Sequence, residues 1–297
     1  MRYRSAFCTL DSVIRQLSIS TATDNDLASA IDTHIAAHYA NQVVRLKELI
    51  FEVSENIATI SGQQFIPYLD TYTRTFKQIS ANRELWSNGG ILTWNLHHGY
   101  DDLIAVDSLA WGSTTLTSSQ YRAGDLQRYP VNYLELDRNA VTVTSGSSFS
   151  DGATLTGTWG YHENPSAMWQ NSGDTVQDSP LSSSSTSLNV ASGTVFEIYQ
   201  YIRIGSEYLF ITDRSTNTLT VTRGVNGTTA AEHANGAQID QLQTYATAAE
   251  ATRRRVVYLH QNPSEQRRIV ALPDGSIELD NEKAIPFPPQ RWRLHSL

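Results

Sequence analysis

Between Ser187 and Ile239 the apolar residues fall on every second position, pairing Leu188 with Val190, Tyr199 with Tyr201, Tyr208 with Phe210 and Leu219 with Val221. A period of two sets such side chains on one face of an extended chain and argues against a helix, whose period is about 3.6. The runs are separated by Ala191-Ser-Gly193, Ile204-Gly-Ser206, Ser215-Thr-Asn217 and Val225-Asn-Gly227, residue types that turn readily. Residues 187–239 are therefore expected to form a compact module of short antiparallel strands, small but able to fold alone.

Upstream the period changes. Thr9 can cap a short helix through Leu17, with Leu10, Val13, Ile14 and Leu17 on one face. Thr23, followed by Asp24 and Asp26, opens a longer one. From Leu27 the residues Ile31, Ile35, Tyr39, Val43, Leu46, Ile50, Val53, Ile57 and Ile60 recur every three or four positions, with no Gly or Pro before Gly62. The pattern fits either one helix roughly 55 Å long or two helices meeting at a kink near Tyr39 to Gln42. After Gly62, Thr and aromatic residues become frequent and strands are expected at Tyr68 to Phe76, Ile91 to Leu96, Leu103 to Leu109, Thr114 to Thr117, Tyr133 to Leu136, Val141 to Val143 and Ala153 to Trp159. Ser179 to Ser187 (SPLSSSSTS) has the composition of a flexible tether. Beyond the module, Gln241 to His260 returns to a helical pattern, Ile269 to Leu279 reads as a hairpin around Pro273-Asp-Gly275, and Ala284 to Leu297 is a Pro-rich arm.

These segments predict an α+β protein. A helical bundle scaffold at the N-terminus, with β-strands, spans residues 1–178. The all-β module 187–239 is inserted, and residues 240–297 return to the scaffold with a helix, the hairpin and the arm. The 297 residues, 40% of them apolar, suffice for real cores. No apolar run approaches the ~20 residues of a membrane helix, and the first residues have no signal-peptide apolar region. The single Cys8 excludes an intrachain disulfide framework and a cysteine zinc cage. A net charge of −8 offers no basic footprint for gripping nucleic acid, but does suit a surface past which DNA moves.

Chemistry-bearing clusters are few. His97-His98 beside Asp101-Asp102 has the residue types of a metal centre, yet neighbours on a strand point to opposite faces and cannot jointly chelate; a polar turn is the expected reading. His162-Glu163 lacks a second His at helical spacing. Gly224-Val-Asn-Gly227 is followed by neither Lys-Ser/Thr nor a helix, so it reads as a turn and not a phosphate loop. No catalytic, cofactor-binding or metal-ligating residue is assigned. Arg253 to Arg255, with Arg267 and Arg268, reads as a solvated helix end. Trp159 is expected in a core. In the arm, Pro286, Phe287, Pro288, Trp292 and Leu294 combine stiffness with apolar surface, as an assembly interface requires, with Trp292 between Arg291 and Arg293 its anchor.

Two runs carry a resemblance. The first, Tyr201-Ile-Arg-Ile-Gly205-Ser-Glu207, then Leu219-Thr-Val-Thr-Arg223-Gly224-Val-Asn-Gly227-Thr and His233-Ala-Asn-Gly236-Ala, resembles a small β module recurrent in tailed-bacteriophage virion proteins, notably neck and head-to-tail connector proteins. The second is looser and spans most of residues 1–165: Cys8-Thr-Leu10, Thr59-Ile-Ser-Gly62-Gln-Gln-Phe65, Asp102-Leu-Ile-Ala-Val106-Asp-Ser-Leu109, Tyr129-Pro-Val-Asn-Tyr-Leu-Glu-Leu136 and Gly157-Thr-Trp-Gly160-Tyr. This order is similar to that of the head-tail connector or adaptor family of long-tailed phages, whose members form rings under the portal. Where that family has a phrase ending in Arg and Phe, this chain has Gln63-Gln64-Phe65, so no contact of that arginine carries over.

The resemblance implies a structural, non-enzymatic virion protein in the neck, assembled in the host cytoplasm. It implies a homo-oligomeric ring, dodecameric in the family, that meets the portal protein on one side and a tail-completion, stopper or tail-terminator protein on the other. Genomic DNA would pass through the lumen without specific binding, and neither a cofactor nor a membrane would be involved. An alternative reading is a virion decoration or adhesion protein whose β module binds host glycans through Tyr and Trp.

Overall fold

The structure, a computed structural model, describes residues 4–17, 33–74, 91–95, 103–111, 114–123, 133–137, 153–262, 269–271 and 277–279. The chain divides into two compact units, one holding Gly62–Phe196 and Gln200–Tyr245, the other Arg4–Ser61, Glu197–Tyr199 and the chain from Ala246 onward.

The second unit holds the helices. Thr9 caps α1 (Leu10–Gln16) by accepting from the Ser12 amide at 3.3 Å. Helix α2 (Thr33–Ser61) runs unbroken through Tyr39 to Gln42, so one helix and not two separate ones covers these residues. It ends at Gly62, whose φ of 66° supplies the left-handed residue on which helices commonly stop. Leu46, Leu49, Ile50, Val53 and Ile57 form its buried stripe, each contributing about 1.5–3 kcal/mol on leaving water. The segment before α1 is tied to the same helix, because the Phe7 amide donates to the buried Ser54 hydroxyl at 3.0 Å and the Ser5 amide to Glu55 Oε1 at 3.2 Å. Helix α3 (Ala246–Gln261) buries Ala248, Thr252, Val256 and Leu259 and packs against both α1 and α2.

The first unit is built from antiparallel sheets. One has the order β1 (Tyr68–Arg74), β7 (Ala153–Trp159), β3 (Leu103–Trp111), β4 (Thr114–Thr115). A second joins β2 (Ile91–Asn95), β6 (Tyr133–Asp137) and β5 (Tyr121–Ala123). The largest has six strands in the order β8 (Trp169–Thr175), β13 (Gln238–Leu242), β10 (Tyr201–Ile204), β11 (Glu207–Ser215), β12 (Thr218–Thr222), β9 (Ser187–Asn189). Its core is made by the alternating residues Ile202 and Ile204, Leu209 and Ile211, Leu219 and Val221, joined by Leu188, Val190, Phe196 and Ile239. The opposite face of β10 and β11 is buried too, where Tyr201 lies directly across from Phe210 with ring centroids 4.8 Å apart. In the helical unit, β14 (Ile269–Ala271) pairs with β15 (Ile277–Leu279), the expected hairpin.

Three expectations change. The predicted N-terminal helical bundle scaffold does not form: the described chain is mostly β, with three helices drawn from both sides of the strand-rich region. Thr and aromatic residues after Gly62 commit that half of the supposed scaffold to sheet, and the 29-residue α2 is balanced by no comparable neighbour among the described residues. The large sheet runs wider than 187–239, because β8 pairs with β13 through Leu242 opposite Trp169 and Gln241 opposite Gln170. The Ser-rich stretch is no free tether either. Leu181 is buried and exchanges two backbone hydrogen bonds with His233, at 2.9 and 3.0 Å. Val141 to Val143 lies outside the described residues.

Candidate functional site

The residues that carry the closer resemblance converge on one buried carboxylate. Glu207 opens β11 with its side chain at 0% exposure, beside Arg223 at 6% and His233 at 11%. Arg223 grips it in a bidentate fork, Nε to Oε1 at 2.7 Å and Nη2 to Oε2 at 2.8 Å. The amides of Gly224 and Ala231 donate to it at 3.0 Å each. His233 Nε2 stands 2.7 Å from Oε2, and since a carboxylate only accepts, that nitrogen carries the proton. Burial by itself would raise the Glu207 pKa, but the bonds from Arg223, Ala231 and His233 and the Arg223 charge outweigh it, and the carboxyl is held below its usual range.

Arg223 is equally saturated. Its remaining N–H groups donate to the carbonyls of Ser182 (2.8 Å), Ser185 (3.0 Å) and Ala231 (2.5 Å), which accounts for all five guanidinium donors. This arginine therefore binds the Ser-rich stretch to the sheet. Val225-Asn-Gly227 is the expected turn, and it has a partner. Asn226 Nδ2 donates to the Pro67 carbonyl at 3.2 Å, and the Leu69 amide donates to the Asn226 carbonyl at 2.8 Å, joining the turn to β1.

A second cluster lines a cavity of about 570 Å³ in the same unit. Trp169 and Tyr208 lie with ring centroids 5.0 Å apart, and the Arg203 guanidinium sits 4.9 Å over the Trp169 ring while pairing with Asp240 at 2.7 Å. Thr158 donates to Asp107 Oδ2 at 3.2 Å. Asp107 has its pKa raised, chiefly by desolvation and only partly offset by the Thr158 bond. Tyr208 is pushed up mainly by burial.

The residues predicted from the sequence fare unevenly. Pro286, Phe287, Pro288, Trp292 and Leu294 lie outside the described residues, as do His97, His98, Asp101, Asp102, Arg267 and Arg268. His162 is a loop brace: the Asn164 amide donates to Nδ1 at 3.0 Å, so Nε2 carries the proton and donates to the Gln243 carbonyl at 2.9 Å. Trp159 is fully buried, as expected of a core residue. Arg253 and Arg254 both pair with Glu250, and Arg255 lies over Tyr258. Among the described residues, no group of three or more His, Cys, Asp or Glu is placed to hold a metal ion, and no helix is long and apolar enough to cross a membrane. Sequence reading overlooks Glu207, whose place next to the Gly205-Ser206 turn suggests exposure; the available signal was its position in front of the apolar run Tyr208-Leu-Phe-Ile211. It also overlooks the cavity, whose lining comes from segments far apart in the chain.

Compared with known proteins, no protein-family model matches the chain, and no curated protein matches it.

Proposed function

We propose that the protein is a structural, non-enzymatic component of a tailed-phage virion. In this reading it is a neck adaptor whose copies form a ring, twelve in number, between portal and tail, and whose lumen lets genomic DNA pass. The supporting observation is the use made of the resemblance residues. Glu207, Arg223, Gly224 and His233 are engaged with one another, and Asn226 with Pro67 and Leu69, so these residues hold the module together, which supports a structural reading. The net charge of −8 supports passage of DNA without capture, since few phosphates could be neutralised.

The interface assigned to Pro286, Phe287, Pro288, Trp292 and Leu294 belongs to the same proposal, with a neighbouring subunit or the portal as its acceptor. The test mixes the full-length protein with the portal protein encoded in the same genome and follows assembly by native mass spectrometry and electron microscopy. A closed ring seated on the portal is expected. Trp292→Ala is expected to weaken that assembly by about 2 kcal/mol or more while the monomer stays folded. A chain that remains monomeric at every portal concentration overturns the reading.

A further inference from the structure

The cavity opens where β3 and β7 of the four-stranded sheet meet the β10–β11 hairpin and Trp169 of β8. Its volume of about 570 Å³ lies within the range usual for small-molecule sites. Asp107, exposed at one side, accepts a hydrogen bond from Thr158, and no cation among the described residues pairs with it. A carboxylate has room for several donors, so acceptor capacity remains. The Tyr208 hydroxyl keeps its proton at neutral pH, as a phenol does, and burial raises its pKa further. Ser206 contributes one more hydroxyl from the hairpin turn, while Leu69, Ile104 and Met168 supply apolar wall.

That combination narrows the ligand. An anion would meet Asp107, and the one guanidinium at the cavity is already paired with Asp240. An apolar ligand would cover a carboxylate without offering it a donor, which is costly. A bare cation would leave the hydroxyls and the apolar wall unused. A neutral polyhydroxylated ring matches all of them: its hydroxyls donate to Asp107 and exchange hydrogen bonds with Thr158, Tyr208 and Ser206, and its C–H face lies on the apolar wall.

The surroundings extend the match. Thr154, Thr156 and Thr158 alternate along β7 and so share one face, and across from them on β1 lie Thr73 and Thr71. Thr71 and Thr156 hydroxyls are 2.8 Å apart, and those of Thr73 and Thr154 are 3.2 Å apart. A row of neutral hydroxyls thus leads away from the cavity. We infer that the cavity is a binding site for a neutral saccharide, with Asp107 as principal acceptor and the threonine row as a track for a second sugar unit.

Saturation-transfer NMR and titration calorimetry on the full chain test this, using the methyl glycosides of glucose, galactose and mannose, N-acetylglucosamine, the corresponding tetrasaccharides and, as an acidic control, N-acetylneuraminic acid. At least one neutral sugar is expected to bind with a dissociation constant in the millimolar range or below, and the acidic sugar is not. Asp107→Asn is expected to weaken binding about tenfold, the weight of one hydrogen bond to a charged acceptor, without lowering the melting temperature. Ser206→Trp, at an exposed turn position, is expected to abolish it by filling the mouth. A tetrasaccharide bound more tightly than its monosaccharide assigns the site to a polymeric glycan, and equal binding assigns it to a free sugar; both support the site. Absence of signal from every neutral sugar overturns the inference, as does binding that neither variant changes. Ring assembly is read by separate measurements, so either proposal can fail without the other.

Discussion

A carboxylate with no exposed surface persists at Glu207 because Arg223, His233 and two backbone amides close on it. Removing one partner of such a pair leaves the other charge buried and uncompensated, which costs about 3–5 kcal/mol. Glu207→Ala is expected to destabilise the protein by that order in urea unfolding, and Glu207→Ala with Arg223→Leu by less than the two single changes added together, because the orphaned charge is gone. The pH dependence follows from the depressed Glu207 pKa. Its share of stability is complete above the unfolded value of about 4.3 and is lost as pH falls through the lower folded value. Asp240 acts in the same direction, since the bonds from Arg203 and Gln238 outweigh its desolvation, whereas Asp107, raised by desolvation, acts in the opposite one. Urea midpoints measured from pH 7 to about pH 3 should therefore fall on the acid side, and fall less steeply in Glu207→Gln.

Among the elements, the turn carrying Asn226 and Gly227 makes the most specific demand. Gly227 has φ +83°, and a Cβ there would stand 2.0 Å from the Leu69 carbonyl oxygen, a backbone atom that cannot swing aside. Gly236 has a similar φ of +82° with nothing near its own Cβ position. Gly236→Ala should cost only the left-handed strain of about 1–2 kcal/mol, and Gly227→Ala distinctly more, a ranking that thermal melts of the two variants check. Equal melting temperatures would mean that the turn is not held against β1. This turn was legible in the sequence as Val-Asn-Gly, and so were β10 to β12 through their alternating residues and α2 through its apolar stripe, though not the continuity of that helix. What covers the turn was not legible, because Leu69 lies far upstream and a period of two says nothing of distant partners. The same holds for Ser179 to Ser187, whose composition suggests freedom but whose Ser182 and Ser185 carbonyls are bound by Arg223, just past the end of β12. Asp107, Thr158, Trp169, Arg203 and Tyr208 come together by topology, with no local spacing to announce them.

At the scale of the molecule, neither unit is a continuous length of chain. The helical unit includes Glu197–Tyr199, which lies between β9 and β10 in sequence. There the Leu10 amide donates to the Ile198 carbonyl at 2.9 Å, the Ile198 amide donates to Asp11 at 2.6 Å, and Arg15 pairs with Glu197 at 2.7 Å. Tyr199, expected to begin a strand, instead takes φ 72° and sets its ring 4.9 Å from Phe51. Deleting residues 187–239 would thus take the tripeptide from α1, cut Gln238 and Ile239 from β13 and remove β10, the strand on the other side of β13 from β8. The shortened chain is expected to lose its cooperative unfolding transition. Hydrogen exchange showing α1 and β8 amides as protected as in the intact protein would refute that. The Glu197–Tyr199 tripeptide also has a consequence for inheritance. A gene segment encoding the large sheet cannot be exchanged for a related one on the merits of the sheet alone, because three of its codons must also suit Asp11, Arg15 and Phe51; the short first helix and a loop some 180 positions downstream are constrained to descend together.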